Sequence, residues 1–251
     1  MAHHSRALPT KLDATLEEVL ASSHVVVAVD VDGTLMNGGS TYPWLAAVGG
    51  RWRTLKASLR LAPKIALAGV TGGTRADVTK QAVFSAVLRG KTADLIRSKS
   101  LEFAGQHYRT RTRPEMKQLL SWHASHGHKV VLVSASVEDY ISPIGNLVGA
   151  DQALATKLQV APSGLLTGAY DGKNCRGEEK LVRLSTWIET AFRGVPYQDI
   201  TIVAYGNSRG DLRMLKAAAL GINCGKLGPL SKLKSYPSLR DMVIATKLST
   251  S

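Results

Sequence analysis

Asp30 and Asp32 stand two residues apart in the string Asp30-Val31-Asp32-Gly33-Thr34-Leu35, directly after the apolar run Val25–Val29. A carboxylate pair of this spacing can divide two tasks: one attacks as a nucleophile while the other gives and takes a proton. Gly33 permits the tight turn that would present both. An Asp-Gly turn closing a strand is common by itself. The whole string behind five consecutive apolar residues is much rarer. Ser134 closes a second apolar run (VVLVSAS), where a hydroxyl and neighbouring backbone N–H groups could hold an anion; its simpler role is a helix N-cap. Lys180 sits early in a helical pattern, where a lysine is ordinarily solvated surface. Asn207 and Asp211 follow a third apolar run in Gly206-Asn207-Ser208-Arg209-Gly210-Asp211, giving oxygen ligands suited to Mg²⁺ or, more simply, a loop that Asp211 caps at a helix start.

The elements that must position these residues read as an α/β chain. Short aliphatic runs closed by turn chemistry predict strands over His24–Asp30, Lys129–Ser134, Ile200–Tyr205 and Ala219–Asn223. Their lack of alternation points to a parallel sheet covered on both faces. Helical patterns occupy Pro114–His126, Glu178–Phe192 and Gly210–Ala218, so the order strand, helix, strand predicts a doubly wound core. Between Tyr42 and Thr112 no strong strand is visible; helical patterns lie around Trp44–Leu59, Ala76–Leu88 and Thr92–Tyr108, with glycine breaks at Gly69–Gly73 and Gly90. A structureless loop of that length is uncommon in a compact domain, so a small helical insertion is expected. Gly164–Gly172 reads as a turn-rich β excursion.

The chain has 251 residues and a net charge of +13, room for one core plus an insertion and an excess that asks for an anionic partner. The charge is concentrated. Residues 42–112 hold 13 of the 32 basic residues but only Asp77, Asp94 and Glu102 among the 19 acidic ones, a net of +10 that leaves +3 elsewhere. Two cysteines without close spacing fit a reducing compartment, and the N-terminal segment, with a short helix over Leu12–Leu20, lacks the apolar core of a signal peptide. No run approaches bilayer-spanning length. The expected location is cytoplasmic, or peripheral at a membrane.

Taken together, Asp30 and Asp32, Ser134, Lys180 and the Asn207–Asp211 loop resemble, in order and spacing, the four motifs of the haloacid dehalogenase superfamily of hydrolases. The segment Val133–Leu184, with Cys175-Arg176-Gly177-Glu178-Glu179-Lys180, is similar to the phosphoserine-phosphatase-like branch, subfamily IB. The resemblance runs from about His24 to Gly225. It implies a Rossmann-like core of residues 1–41 and 113–251, with a basic helical cap over 42–112 and a basic C-terminal tail. It implies a Mg²⁺-dependent phosphatase in which Asp30 becomes an aspartyl phosphate and Asp32 acts as general acid and base. Gly33, Thr34, Ser134, Ala135 and Lys180 would hold the phosphoryl group, and Asp30, Asp32, Asn207 and Asp211 the metal. The substrate would be a small phosphorylated metabolite or a phosphorylated lipid or prenol. One departure stands out: Asn207 occupies a position where the family usually has Asp, which lowers the charge of the metal site. The alternative is therefore a protein that binds a phospho-ligand or membrane surface without turnover. Asp32 speaks against dehalogenation, which has no alkoxide to protonate.

Two further patterns compete. His123 and His126, a helical turn apart, have the spacing of metal ligands but no acidic or cysteine partner nearby; histidines also suit a helix C-terminus. Trp44, Leu45, Val48, Trp52, Leu55 and Leu59 recur at helical spacing, flanked by Arg53, Lys56, Arg60 and Lys64. The simpler reading is a cap helix packing its apolar face inward with the cations solvated; the other is a basic amphipathic helix lying on an anionic membrane. Nucleic acid is an unlikely partner, because no zinc-finger, KH or RNP pattern is present. Oligomeric state is left open.

Overall fold

A computed structural model describes residues 11–71, 73–225 and 233–248; the first ten residues and parts of the basic C-terminal tail lie outside them. In chain order the elements are α1 (Lys11–Ala21), β1 (Val25–Val29), α2 (Thr41–Gly49), α3 (Arg51–Arg60), α4 (Ala62–Thr71), α5 (Gly73–Leu88), α6 (Ala93–Arg111), α7 (Pro114–Ser125) and β2 (Lys129–Val137). They continue with α8 (Glu138–Val148), β3 (Gln152–Val160), β4 (Leu166–Asp171), α9 (Glu178–Ala191), β5 (Thr201–Gly206), α10 (Leu212–Ala217), β6 (Leu220–Asn223) and α11 (Leu239–Leu248). The sheet order is β4-β3-β2-β1-β5-β6. All neighbours run parallel except β3 and β4. The result is the expected doubly wound, Rossmann-like α/β architecture.

Alternation across the pleat divides the central strands between two cores. Val25, Val27 and Val29 of β1 join Leu132 and Tyr205 in a cluster completed by α7, α8 and α11. Val26 and Ala28 face the other way, with Val131 and Ala204, onto Leu184 and Ile188 of α9 and Met214 and Leu215 of α10. Every residue of β1 is buried, which explains why its sequence shows no alternation. The first cluster also takes in Trp44, Phe84, Val87 and Ile96, so the helices of 42–112 share a core with the sheet.

Several expectations are refined. The second strand runs on to Val137, and β3 and helices α4, α8 and α11 were not foreseen. Strand β3 has only Ala155 and Thr156 fully buried, so it lacks the apolar run that marks its neighbours; Gly164–Gly172 instead supplies its antiparallel partner β4. The single helix expected over Trp44–Leu59 is two, parted at Gly50, whose φ of 98° is left-handed and favours glycine. This break has a consequence. Trp44, Leu45 and Val48 are buried as expected, but Trp52, Leu55 and Leu59 are exposed. Among the described residues no helix is long and apolar enough to cross a membrane, and both cysteines are buried free thiols.

The histidine cluster at the end of α7 is internally engaged. His123 Nε2 lies 2.7 Å from the Tyr205 hydroxyl and its Nδ1 lies 2.8 Å from Nδ1 of His128. His126 instead places Nδ1 2.8 Å from the Trp122 carbonyl oxygen, so the two histidines of metal-like spacing face different partners. Two ring nitrogens in that contact cannot both carry protons, so at least one ring is neutral. Burial, with repulsion from neighbouring rings, holds His123 well below its usual pKa and lowers His128 to about 4. The unfolded chain, titrating near 6.5, therefore binds more protons than the folded one between that pH and about 4. Stability is fully present above this window and falls as pH drops through it. Urea midpoints measured from pH 7.5 to pH 4.5 should decline less steeply in His128→Asn than in the unaltered protein; parallel slopes would refute this account.

Candidate active site

The sequence-predicted residues converge at the carboxyl edge of the parallel strands, where open α/β sheets bind ligands. Asp30 leaves β1, Ser134 lies in β2, Asn207 follows β5, Asp211 immediately precedes α10, and Lys180 comes from the first turn of α9. Lys180 is 1% exposed, not a solvated surface residue. Its Nζ donates to Asp30 Oδ1 at 2.6 Å and to Asp211 Oδ1 at 2.7 Å. Burial opposes its charge, but Asp211 and Asp30 outweigh that effect and hold its pKa above the ordinary lysine range. Asp211 answers in kind: burial works against its carboxylate, yet Lys180 and the Ser208 donors hold its pKa below the usual value. Burial and the neighbouring Asp211 push Asp30 upward, against the pull of Lys180.

Asp30 is aimed by its own turn. Its Oδ2 accepts from the Thr34 hydroxyl at 2.9 Å, and its N–H donates to the Tyr205 carbonyl at 3.0 Å. Gly33 has a φ of 82°, and a Cβ there would collide with the Asn207 amide. Glycine is thus required twice, by backbone conformation and by close approach. The Gly33 and Thr34 N–H groups, expected to face a phosphoryl group, are donated to Met36 and Val31 within the turn. What Thr34 offers the site is its hydroxyl, on Asp30.

Asp32 is held separately. Its Oδ1 accepts from the Ser40 N–H at 2.7 Å and its Oδ2 from the Ser136 hydroxyl at 2.6 Å. Ser136 in turn lies 3.2 Å from the Thr41 hydroxyl, and Ser40 lies 2.7 Å from the hydroxyl of buried Tyr140. This network binds the end of β2 to the start of α2. Ser136 could have been found from its i, i+2 spacing with Ser134 in one strand; Ser40 and Tyr140 carried no comparable signal. Ser134 does not cap α8, which starts at Glu138 after Val137; its Oγ accepts the Ser136 N–H at 3.1 Å.

Two cations complete the surroundings. Lys80, from α5, donates to the Ala135 carbonyl at 2.6 Å, beside Ser134, and its ammonium lies 5.5 Å from the Phe84 ring centroid. Burial lowers its pKa to about 8 despite the attraction of Asp32 and Asp77. Nothing in the sequence distinguished Lys80 from the other cations of 42–112. Arg113 ties the loops together, donating to the carbonyls of Gly33 at 3.3 Å and Cys224 at 2.9 Å.

The donor set suits a hard divalent cation. It is all oxygen, with Asp30 and Asp211 sharing the Lys180 ammonium. Among the described residues no three His, Cys, Asp or Glu side chains are gathered as a metal cage, so backbone and amide oxygens would have to complete the set. Asp211, expected as a ligand, has both oxygens engaged. Lys180 takes one, and the other accepts from the Asn207 and Ser208 N–H groups at 3.2 and 2.9 Å and the Ser208 hydroxyl at 2.8 Å. Asn207, against Gly33, has no side-chain hydrogen bond among the described residues. Its amide oxygen is thus the uncommitted group of the loop.

Comparison with known proteins bears on the family and the fold. Residues 27–216 match the family model for haloacid dehalogenase-like hydrolases. The chain is 32% identical over 196 residues to protein CicA of Caulobacter vibrioides, covering 77% of this chain and 83% of the relative. It is 28% identical over 142 residues to a histidinol-phosphatase of Neisseria meningitidis, covering 55% and 63% respectively. The crystal structure of a probable phosphoserine phosphatase from Vibrio cholerae has the same fold, with a TM-score of 0.61 at 16% identity over 91% of this chain and 66% of that one.

Removing Lys180 tests the buried bridge. Lys180→Met leaves Asp30 and Asp211 facing each other without a counter-charge and should cost about 3–5 kcal/mol of stability in urea titrations. The deficit should shrink toward acid pH, because the unpaired carboxylates would bind protons more tightly folded than unfolded. A loss below about 1 kcal/mol would show that the bridge does not organise the site.

Proposed function

The chain belongs to the haloacid dehalogenase-like hydrolase family, and we propose that it is a phosphatase of the phosphoserine-phosphatase-like kind that hydrolyses a phosphomonoester through Asp30 and Asp32, a reading supported by its likeness to a histidinol-phosphatase and to phosphoserine phosphatases. The observation that carries this reading is the division of labour between the two carboxylates. Asp30 is buried against the Lys180 ammonium, while Asp32 is held by uncharged donors, the Ser40 N–H and the Ser136 hydroxyl.

A carboxylate oxygen of Asp30 attacks phosphorus, and the bond to the leaving oxygen breaks as Asp32 gives that oxygen its proton. Asp32 then takes a proton from the water that attacks the aspartyl phosphate, releasing phosphate and restoring Asp30. Lys180 counters the negative charge that this sequence concentrates beside Asp30 and Asp211. The Ser134 hydroxyl, the Ala135 N–H and the Lys80 ammonium hold phosphoryl oxygens. Mg²⁺, held by the Asp30 carboxylate, the Asp32 carbonyl and the Asn207 amide with Asp211 anchoring the loop, would offset the repulsion between carboxylate and phosphate.

Residues 42–112 serve as the cap over a core of 1–41 and 113–251. Their net charge of +10 favours approach of a phosphate dianion. A cleft of ≈ 380 Å³ between α5 and the segment before α9 is lined by Asp77, Gln81, Asn174 and Arg176 together with Val78 and Val182. Asp30, Asp32, Ser134 and Lys180 do not line it, and it would take a leaving group of mixed polarity. Asp77 marks its wall one helical turn from Lys80, accepting from Asn174 at 2.6 Å. The charged groups Asp77 and Arg176 in this lining favour a small phosphorylated metabolite with polar substituents.

Phosphate release should be measured with Mg²⁺ against sugar, amino-acid, nucleotide and lipid phosphates. Asp30→Asn should abolish turnover while the far-ultraviolet circular dichroism is retained, and undiminished release would overturn the mechanism. Asp32→Asn should lower kcat by roughly 10²–10⁴-fold, with the smallest loss on substrates whose leaving group needs no proton. For Lys80→Met, KM should rise more than kcat falls. In the unaltered protein KM should also climb above about pH 8, as Lys80 loses its proton, and that climb should be absent from the variant. An unchanged pH profile in Lys80→Met would remove Lys80 from the site.

A further inference from the structure

We propose that the solvent face of α3 is a docking surface for an anionic phospholipid membrane. Helix α3 packs against α2, α4 and α5, and the residues it buries are Thr54 and Ala57. At about 100° per residue, Trp52, Leu55 and Leu59 fall together on the opposite side. Their exposure is 76%, 47% and 66%. Such a face inverts the usual arrangement, in which a helix of a soluble domain turns its apolar stripe to the core. The inversion follows from Gly50, where the chain turns out of α2 after burying Trp44, Leu45 and Val48.

Charge surrounds the apolar sector. By the same helical period Lys56 and Arg60 border it on one side and Arg51 on the other, with Arg53 beyond and Lys64 following in α4. All five are exposed. Arg53 donates to the Ala86 carbonyl at 3.2 Å; Arg51, Lys56, Arg60 and Lys64 have no acidic partner among the described residues. No Asp or Glu occurs anywhere from residue 33 to residue 76. Beside the face runs an open groove of ≈ 850 Å³, lined by Tyr42, Trp52 and Leu55 among others. Tyr42 stands two residues beyond Ser40, whose N–H is bonded to Asp32, so the groove begins one short step of chain from the catalytic pocket.

The occupant must satisfy both halves of this surface. A nucleic acid would meet the cations but leave Leu55 and Leu59 without an apolar partner. A second copy would meet the leucines but press cation against cation. An anionic bilayer meets both: Trp52 at the headgroup level, the leucines at the acyl boundary, and the lysines and arginines on the phosphates. The placement would hold the cap, and with it the mouth of the site, at the membrane surface.

Flotation of the full chain with vesicles tests this without requiring turnover, so its result is independent of the roles given to Asp30 and Asp32. The protein should float with vesicles of phosphatidylcholine and phosphatidylglycerol, not with phosphatidylcholine alone, and raised salt should release it. Two variants, Trp52→Ser with Leu55→Ser and Leu59→Ser, and Lys56→Gln with Arg60→Gln, should each lower partitioning by about tenfold or more. Circular dichroism and hydrolysis of a soluble phosphomonoester should stay unchanged in both. No partitioning onto anionic vesicles, or partitioning that survives both variants, would overturn the proposal. So would a dimer in sedimentation equilibrium that the serine variant dissolves, or salt-sensitive RNA binding that exceeds lipid binding and is lost in the glutamine variant.

Discussion

The site depends on one buried ammonium. Lys180 lies between Asp30 and Asp211, within 2.7 Å of an oxygen of each, and none of the three is appreciably solvated. A buried ion pair is weak evidence for stability, since desolvation offsets much of the attraction. Its value here is positional. The bridge ties the end of β1 to the start of α9, 150 residues on, and to the loop before α10, 31 residues beyond that. Each segment then brings its own passengers: the Gly33 turn, the Arg176 side of the cleft, and Asn207 against Gly33.

Asp32 belongs to a second system with a different physical character. Its partners are a backbone N–H and a hydroxyl, and these reach through Ser40, Thr41 and Tyr140 into the first helix of the 42–112 segment. The proposed nucleophile is therefore set by charge inside the core, whereas the proposed acid and base is set by neutral hydrogen bonds that also fix where α2 begins. Burial, and then the neighbouring Asp32 carboxylate, raise the pKa of Tyr140, which keeps its hydroxyl protonated throughout the working range. The proposed cap is in this way registered on the same residue that would hand a proton to the leaving group.

Within 42–112 five of the thirteen basic residues fall into two contrasting settings. Lys80 turns inward to the Ala135 carbonyl, next to Ser134, beside the proposed site. Arg51, Lys56, Arg60 and Lys64 turn outward beside exposed Trp52, Leu55 and Leu59. The same formal charge is thus divided between the proposed phosphoryl pocket and the proposed membrane face.

Much of this was legible in the chain itself. The strands β1, β2, β5 and β6 could be read because central parallel strands are buried on both faces and so show unbroken apolar runs. The order of Asp30, Asp32, Ser134, Lys180 and the Asn207–Asp211 loop was enough to place the chain in its family. Strand β3 escaped notice because its burial comes from its neighbours and not from its composition. What only the tertiary structure decided is direction. A charged residue has no period of its own, so nothing in the sequence separated buried Lys180 from a solvated lysine, Lys80 from its twelve basic neighbours in 42–112, or an Asp211 bonded to Lys180 and Ser208 from one turned to solvent. The apolar stripe after Gly50 was equally silent: spacing shows that Trp52, Leu55 and Leu59 share a face, but which way that face points is set by the turn at Gly50 and by Thr54 and Ala57 taking the inner side.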